Sequence, residues 1–255
     1  MIESCLLLFS WSHVLTRSTA PNKVASNPVL ADLSLRLLVS LSSLPLVAEE
    51  LAVEGLLTRL PTARTTQALQ SCPGGVFPLD RRGTQYQTLY VIWSTGILPL
   101  CLNLLHSVGR PMAAEISAFL NQFPSQLNNA STAFSYSAFS QSKDAGEGVI
   151  SLASAKEATN IALISHILAE YRAAGASAGV DALDIPNLEG YDEHRKVLAE
   201  EIEDLVGQPA RLRARIVAMD AKEQAWLKDG RLEKKIMEEL RCAAMCLRGI
   251  DVDEG

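Results

Sequence analysis

The five residues Gly175-Ala176-Ser177-Ala178-Gly179 match the G-x-S-x-G pattern of a nucleophile elbow, and Asp184, Asp192 and His194 follow in hydrolase order. In that chemistry a histidine takes the serine proton, backbone amides hold the oxyanion, and the serine sits on a sharp strand-to-helix turn of a mostly parallel sheet. Upstream of the motif, Ile161, Ile164, Leu168 and Tyr171 keep helical spacing, and downstream VDALDIPNLEG opens no long helix. Without a sheet to carry the elbow, the five residues read as a small-residue linker closing a helix.

The other candidates for chemistry thin out in the same way. Cys242 and Cys246 stand one helical turn apart, which puts both thiols on one face, yet a zinc site takes four ligands and no third or fourth Cys or His is near in sequence. They read as core cysteines. His13, His106, His166 and His194 are scattered over separate helical segments without ligand spacing. Arg211 to Arg215, RLRAR, spreads its arginines around a helix beside the acidic run Glu200 to Asp204, the pattern of a solvated salt-bridge belt. Gly74-Gly75 and Gly146 to Gly148 lack the spacing of a phosphate loop. The expectation is a protein without catalytic residues, cofactor or metal.

Composition narrows the class further. The 255 residues are 48% hydrophobic and 20% charged with a net charge of -6, which argues against direct, sequence-independent binding of nucleic acid. Five cysteines, odd in number and mostly inside apolar helix-like segments, point to a reducing compartment. The start, MIESCLLLFSWSHVL, carries Glu3 where a signal peptide carries basic residues, so it reads as a helix.

The elements are helical throughout. Leu30, Leu33, Leu37, Leu41 and Leu44 form one stripe, and after Pro45 a second runs through Val53, Leu56, Leu57 and Leu60 to Pro61. Proline lacks the helical N–H and biases its predecessor away from helix, so the chain turns at Pro45 and makes a helical hairpin. Arg110-Pro111 reads as another turn, opening a helix whose stripe is Met112, Ile116, Phe119, Leu120 and Phe123, opposed by Ala113, Glu115, Ser117 and Gln122. Leu89 to Leu105 is apolar nearly all round and interrupted by Gly96 and Pro99, which predicts one kinked buried helix or two short ones. The surrounding run from Gly83 to Gly109 holds no Lys, Arg, Asp or Glu and is long enough for a membrane span, but Gln85, Gln87, Asn103 and His106 lie within it, so insertion is not expected.

Charge divides the chain. Residues 1–124 are charge-poor helical hairpins; Ser125 to Gly148, rich in Ser, Asn and Gly, reads as a loop or subdomain boundary; residues 149–255 carry charged amphipathic helices continuing the same array. Their stripes are Leu198, Ile202 and Leu205; Leu212, Ile216 and Met219; and Leu232, Ile236, Leu240 and Leu247. No alternating strand pattern competes. The predicted fold is all-α, an irregular α-helical solenoid of stacked hairpins, HEAT- or armadillo-like, because the prolines keep no fixed period.

At YVIWSTGILPLCLNLLHSVGRPMAAEISAFLNQFPSQL, Tyr90 to Leu127, the sequence resembles the C-terminal tail of the giant inner-ring scaffold nucleoporins, the fungal nucleoporin one-eighty-eight family above all. The resemblance implies a structural scaffold at the nuclear pore complex of the nuclear envelope, supporting nucleocytoplasmic transport. It implies as partners a helix of the linker nucleoporin and other scaffold nucleoporins, with no enzyme activity. Family members are far longer than 255 residues, which implies a C-terminal fragment. Two other classes fit the residues: a soluble helical adaptor outside the pore, and a membrane-attached helical protein using residues 89–105.

A solenoid holds a partner helix on apolar anchors ringed by charge. Ile216, Met219 and Trp226, flanked by Lys222, Glu223 and Lys228, are the candidate partner-binding residues; the competing reading places the same three in the core.

Overall fold

Proline and glycine set the corners of this helical array. The computed structural model describes residues 4–7, 9, 29–71, 89–135, 149–178 and 184–249. Helix α1 (Val29–Ser42) ends before Pro45, which opens α2 (Pro45–Val53), and the chain bends by 116° between them. Short α3 (Leu56–Arg59) runs into a 3₁₀ turn at Leu60–Thr62, and α4 (Arg64–Gln70) follows. Helix α5 (Leu89–Ser107) is a single element. Gly109, at φ 79° where only glycine is comfortable, makes the turn, and a 3₁₀ turn at Arg110–Met112 leads into α6 (Ala113–Leu120). The expected break at Arg110-Pro111 is therefore present.

Beyond it come α7 (Pro124–Thr132), the 27-residue α8 (Leu152–Ala178), α9 (Arg195–Gly207), α10 (Pro209–Arg215), α11 (Ala221–Lys228) and α12 (Arg231–Arg248). They stack in series: α1 and α2 on α5, α5 on α8, α8 on α12, and α12 on both α9 and α11. One continuous apolar core runs through the stack, from Leu35 and Leu38 through Trp93 and Leu104 to Ile161, Ile202 and Leu240. Among the described residues the only extended pairing is a parallel bridge between Ile150 and Ile216. The all-α solenoid reading stands.

Several finer expectations are corrected. The stripe Leu33, Leu37 and Leu44 faces outward, and α1 instead buries Ala31, Ser34, Leu35, Leu38 and Ser42. Leu30's side chain lies outside the described residues. On α6 the predicted stripe is buried, but Ala113 and Ser117, assigned to its polar side, are buried as well. Ser117 can be buried because its hydroxyl donates to the Pro186 carbonyl at 2.7 Å. The supposed loop at Ser125 is the helix α7 as far as Thr132, with Leu127 and Ala130 in the core; residues 136–148 lie outside the described residues. The chain does not continue helical from Leu212 through Met219, because Ile150 and Val217 donate to the Arg215 and Ile150 carbonyls and pull residue 216 into extended backbone.

Helix α5 shows how one interruption is absorbed. Trp93–Ile97 takes a π-helical turn in which the Leu98 N–H donates to the Trp93 carbonyl. Next in that register is the Ser94 carbonyl, whose donor would be Pro99, which has none. Asn160 of α8 supplies it instead, Nδ2 to O at 3.1 Å. Asn103, a residue that argued against a membrane span, donates to the Val39 carbonyl at 2.8 Å and so satisfies the C-terminus of α1. Helix α5 is long and apolar enough to cross a membrane, and 67% of its apolar window is buried inside the protein.

Gly96 within that π turn lies directly against Leu35 of α1. A Cβ built there would lie 2.2 Å from Leu35 Cδ2. Gly96→Ala is therefore expected to cost about 1–3 kcal/mol by overpacking, measured by urea denaturation. Leu35→Ala in the same chain should relieve part of that cost. A double-mutant cycle showing no coupling between the two would contradict this packing.

Candidate functional site

The elbow geometry is missing. Gly175 to Ala178 are the last turn of α8, so the backbone at Ser177 is helical rather than a strand-to-helix corner. Gly179 lies outside the described residues. Asp192 accepts from Ser165 Oγ at 2.5 Å and from the Leu188 N–H at 2.9 Å and pairs with Arg172 at 3.3 Å, while His194 Nδ1 faces the Gly190 carbonyl at 3.3 Å. The two are held by other groups, not by each other. Among the described residues no group of three or more His, Cys, Asp or Glu is placed to hold a metal ion. Burial and the neighbouring Cys242 push the Cys246 thiol up to about 11, so it is held as a neutral thiol at neutral pH.

A cavity of about 680 Å³ opens between α8, α9, α12 and the segment around Asn187, lined by Arg172, Asp192, Glu193, Arg195, Lys196 and Glu200 among others. Its charges cancel. Arg172 is committed to Asp192 and Asn187, Arg248 to Glu203, and the other two cations of the lining, Arg195 and Lys196, are matched in number by Glu193 and Glu200. It therefore projects no net field that would select an anion.

The residues expected to bind a partner separate. Ile216 is only 8% exposed and pairs with Ile150 in the bridge, so it belongs to the core. Met219 is half-buried in the extended stretch, its N–H donating to Glu223 at 2.7 Å. Trp226 sits on α11, a helix with no fully buried residue, started by an Asp220 N-cap that accepts from the Glu223 N–H at 2.7 Å. Lys222 and Lys235 approach its ring at 4.8 and 5.0 Å. These ammonium groups stand over the indole by cation–π attraction and set positive charge beside a half-buried apolar side chain. Sequence spacing placed all three on one helix; the extended residues 216–219 break it.

Two charged side chains are buried among the described residues: Glu157, which the sequence reading passed over, and Arg215, which it placed in a solvated belt. Glu157 of α8 is 5% exposed, accepting from Tyr90 Oη and, at 2.6 Å, from Trp93 Nε1 of α5. Burial pushes its carboxyl up to about 7, against the hydrogen bonds from Tyr90 and Trp93, which act to lower it. Burial also holds the Tyr90 phenol well above its usual range, with the Glu157 charge adding to the effect. Arg215, the last of RLRAR, is 1% exposed and donates to the Ala133 and Phe134 carbonyls at 3.1 and 3.4 Å. Its two companions do form the expected belt, Arg211 with Asp204 at 2.8 Å and Arg213 with Glu233 at 2.6 Å. Both buried groups tie helices together.

The family model described as the nuclear pore protein NUP188 C-terminal domain matches residues 1–247. Nucleoporin NUP188 of Chaetomium thermophilum is 30% identical over 243 residues, covering 89% of this chain and 12% of that protein. Nucleoporin nup184 of Schizosaccharomyces pombe is 32% identical over 119 residues, 47% of this chain and 7% of that protein. A solved structure, Nup188(aa1445-1827) from Myceliophthora thermophila, superposes with a TM-score of 0.77 at 28% identity, over 96% of this chain and 66% of that one. The chain thus spans a small part of its curated relatives, both of which are named as nucleoporins. With the helical stack, the sequence and a solved fold in agreement, the chain belongs to the NUP188 C-terminal domain family of nuclear pore proteins.

Proposed function

We propose that the chain is a structural segment of the inner ring of the nuclear pore complex, a non-catalytic solenoid that holds other nucleoporins and so supports nucleocytoplasmic transport. The observation that carries this reading is the serial stack of helices sharing one continuous core, the architecture that offers long lateral surfaces to partners. In this reading residues 1–124 and 149–255 are parts of the same solenoid, and it makes no direct contact with nucleic acid and inserts no helix into the membrane. Tagging the full-length protein in a fungal host tests it. Nuclear-rim fluorescence and inner-ring nucleoporins in affinity capture are expected; a diffuse cytoplasmic signal with neither would reject the scaffold role.

A helix of the linker nucleoporin is the proposed partner, and Met219 and Trp226 are its proposed anchors, with Ile216 supporting them from the core. Trp226→Ala is expected to weaken that binding by at least about 2 kcal/mol, the scale of an interface hot spot. Because Trp226 is only half-buried, the same change should lower stability by clearly less than the ~3–5 kcal/mol of a core tryptophan. Titration calorimetry and a thermal melt on one preparation measure both. A folded variant with undiminished affinity would remove Trp226 from the interface.

A further inference from the structure

Five of the nine large apolar side chains that stand exposed among the described residues crowd onto α1, α2 and the corner between them: Leu33, Leu37 and Leu44 at 56, 44 and 53%, and Leu46 and Val53 at 82 and 83%. Leu33 and Leu37 are one turn apart, half-buried Leu41 continues the row, and Leu44 ends it at the corner where α2 begins. Isolated exposed leucines are ordinary; a continuous row at helical spacing is the mark of an unfilled contact. The remaining four exposed apolar residues, Leu7, Val197, Leu227 and Met245, are spread over other parts of the chain.

Charge identifies what fits the row. Beside Leu46 and Val53, the exposed Glu49 and Glu50 make no ion pair among the described residues, and Glu54 has only a 3.8 Å contact with Arg59. On α1 the Asp32–Arg36 pair, at 2.8 Å, cancels itself. A second copy of the same face would bring these carboxylates against each other about a two-fold axis. An anionic membrane surface would repel them. The geometry points to an amphipathic helix with a basic flank as the occupant, its apolar ridge lying along Leu33, Leu37, Leu41 and Leu44 and its Lys or Arg residues reaching Glu49 and Glu50. This surface is separate from Trp226 and does not rest on the linker-helix reading.

The probe is a synthetic helical peptide with leucines at one-turn spacing and lysines flanking them, compared with a second peptide whose flanks are glutamate. Fluorescence anisotropy on the whole chain should show the lysine peptide binding at least about tenfold more tightly, with the preference shrinking as salt rises. Leu33→Ser with Leu37→Ser should reduce its affinity about tenfold or more while moving the melting curve little, since both side chains stand exposed. Glu49→Lys with Glu50→Lys should reverse the preference between the two peptides. Equal binding of both peptides, no binding of either, or undiminished binding by the serine variant overturns the proposal. A concentration-dependent dimer that the serine variant abolishes would also overturn it, by giving the face to a second copy.

Discussion

Arg215→Ala is expected to destabilise the chain by about 3–5 kcal/mol, although the residue sits in an arginine-rich stretch that looks like solvated surface. Its guanidinium satisfies the Ala133 and Phe134 carbonyls just past the C-terminus of α7, and each buried carbonyl left without a donor costs about 1–3 kcal/mol. The vacated volume adds a cavity term of similar sign. Burial holds the guanidinium below its usual range, with the Arg211 charge adding to that, but a guanidinium remains charged in any folding buffer. Arg213→Ala, two residues away, is the control: it loses only an ion pair of its exposed side chain, which solvent and salt screen, so its effect should be far smaller. Urea titrations of both variants at one pH measure the contrast. Equal effects would mean that Arg215 does not hold α7 against α10.

The same arginine shows where the sequence was legible and where it was not. Helix type, the turns at Pro45 and Arg110-Pro111, and the apolar faces of α8, α9 and α12 follow from 3.6-residue periodicity and from proline, which are local properties. Ile161, Ile164, Ile202 and Ile236 are in the core as their spacing requires. Helix α1 defeated the same method because it is apolar on nearly every side. Periodicity then cannot say which face is covered, and the face that packs is the one with small Ala31 and Ser34 beside Leu35, which lies against Gly96. The break between α10 and α11 was invisible for another reason: it is imposed by Ile150, sixty-six residues upstream of its partner Ile216 in the chain. Long-range pairing of this kind leaves no local signal, so Ile216 was placed on a helix it does not belong to. In RLRAR, alternation placed the charges around the helix but could not reveal that α7 would close over the last of them. Glu157 stood among small residues in ASAKEATN, where a lone carboxylate on a helix gives no hint of burial.

Glu157→Gln is expected to remove a pH dependence that the native chain carries between about pH 4.5 and 7. The folded protein holds the Glu157 proton with a pKa of about 7, against 4.5 for an ordinary glutamate. Between these values the native state binds more protons than the unfolded state, so stability falls as pH rises. The contribution is fully present below pH 4.5 and is lost once pH has climbed through 7. At 1.36 kcal/mol per unit, the interval corresponds to about 3 kcal/mol. Glutamine reproduces the protonated carboxyl: its oxygen accepts from Trp93 Nε1, and its amide donates to the Tyr90 oxygen. The variant should therefore match the native chain near pH 4.5 and exceed it at pH 8. Burial also raises Glu115, Glu201 and Glu223, all partly exposed, so the native slope alone does not isolate Glu157. The difference between the two chains does, because those groups are common to both. Denaturation midpoints from pH 4.5 to 8 should diverge steadily to neutrality and then run parallel. If the curves stay parallel throughout, the carboxylate is ionised at every pH in the range, and α5 and α8 are joined by a charged cluster instead of a neutral one.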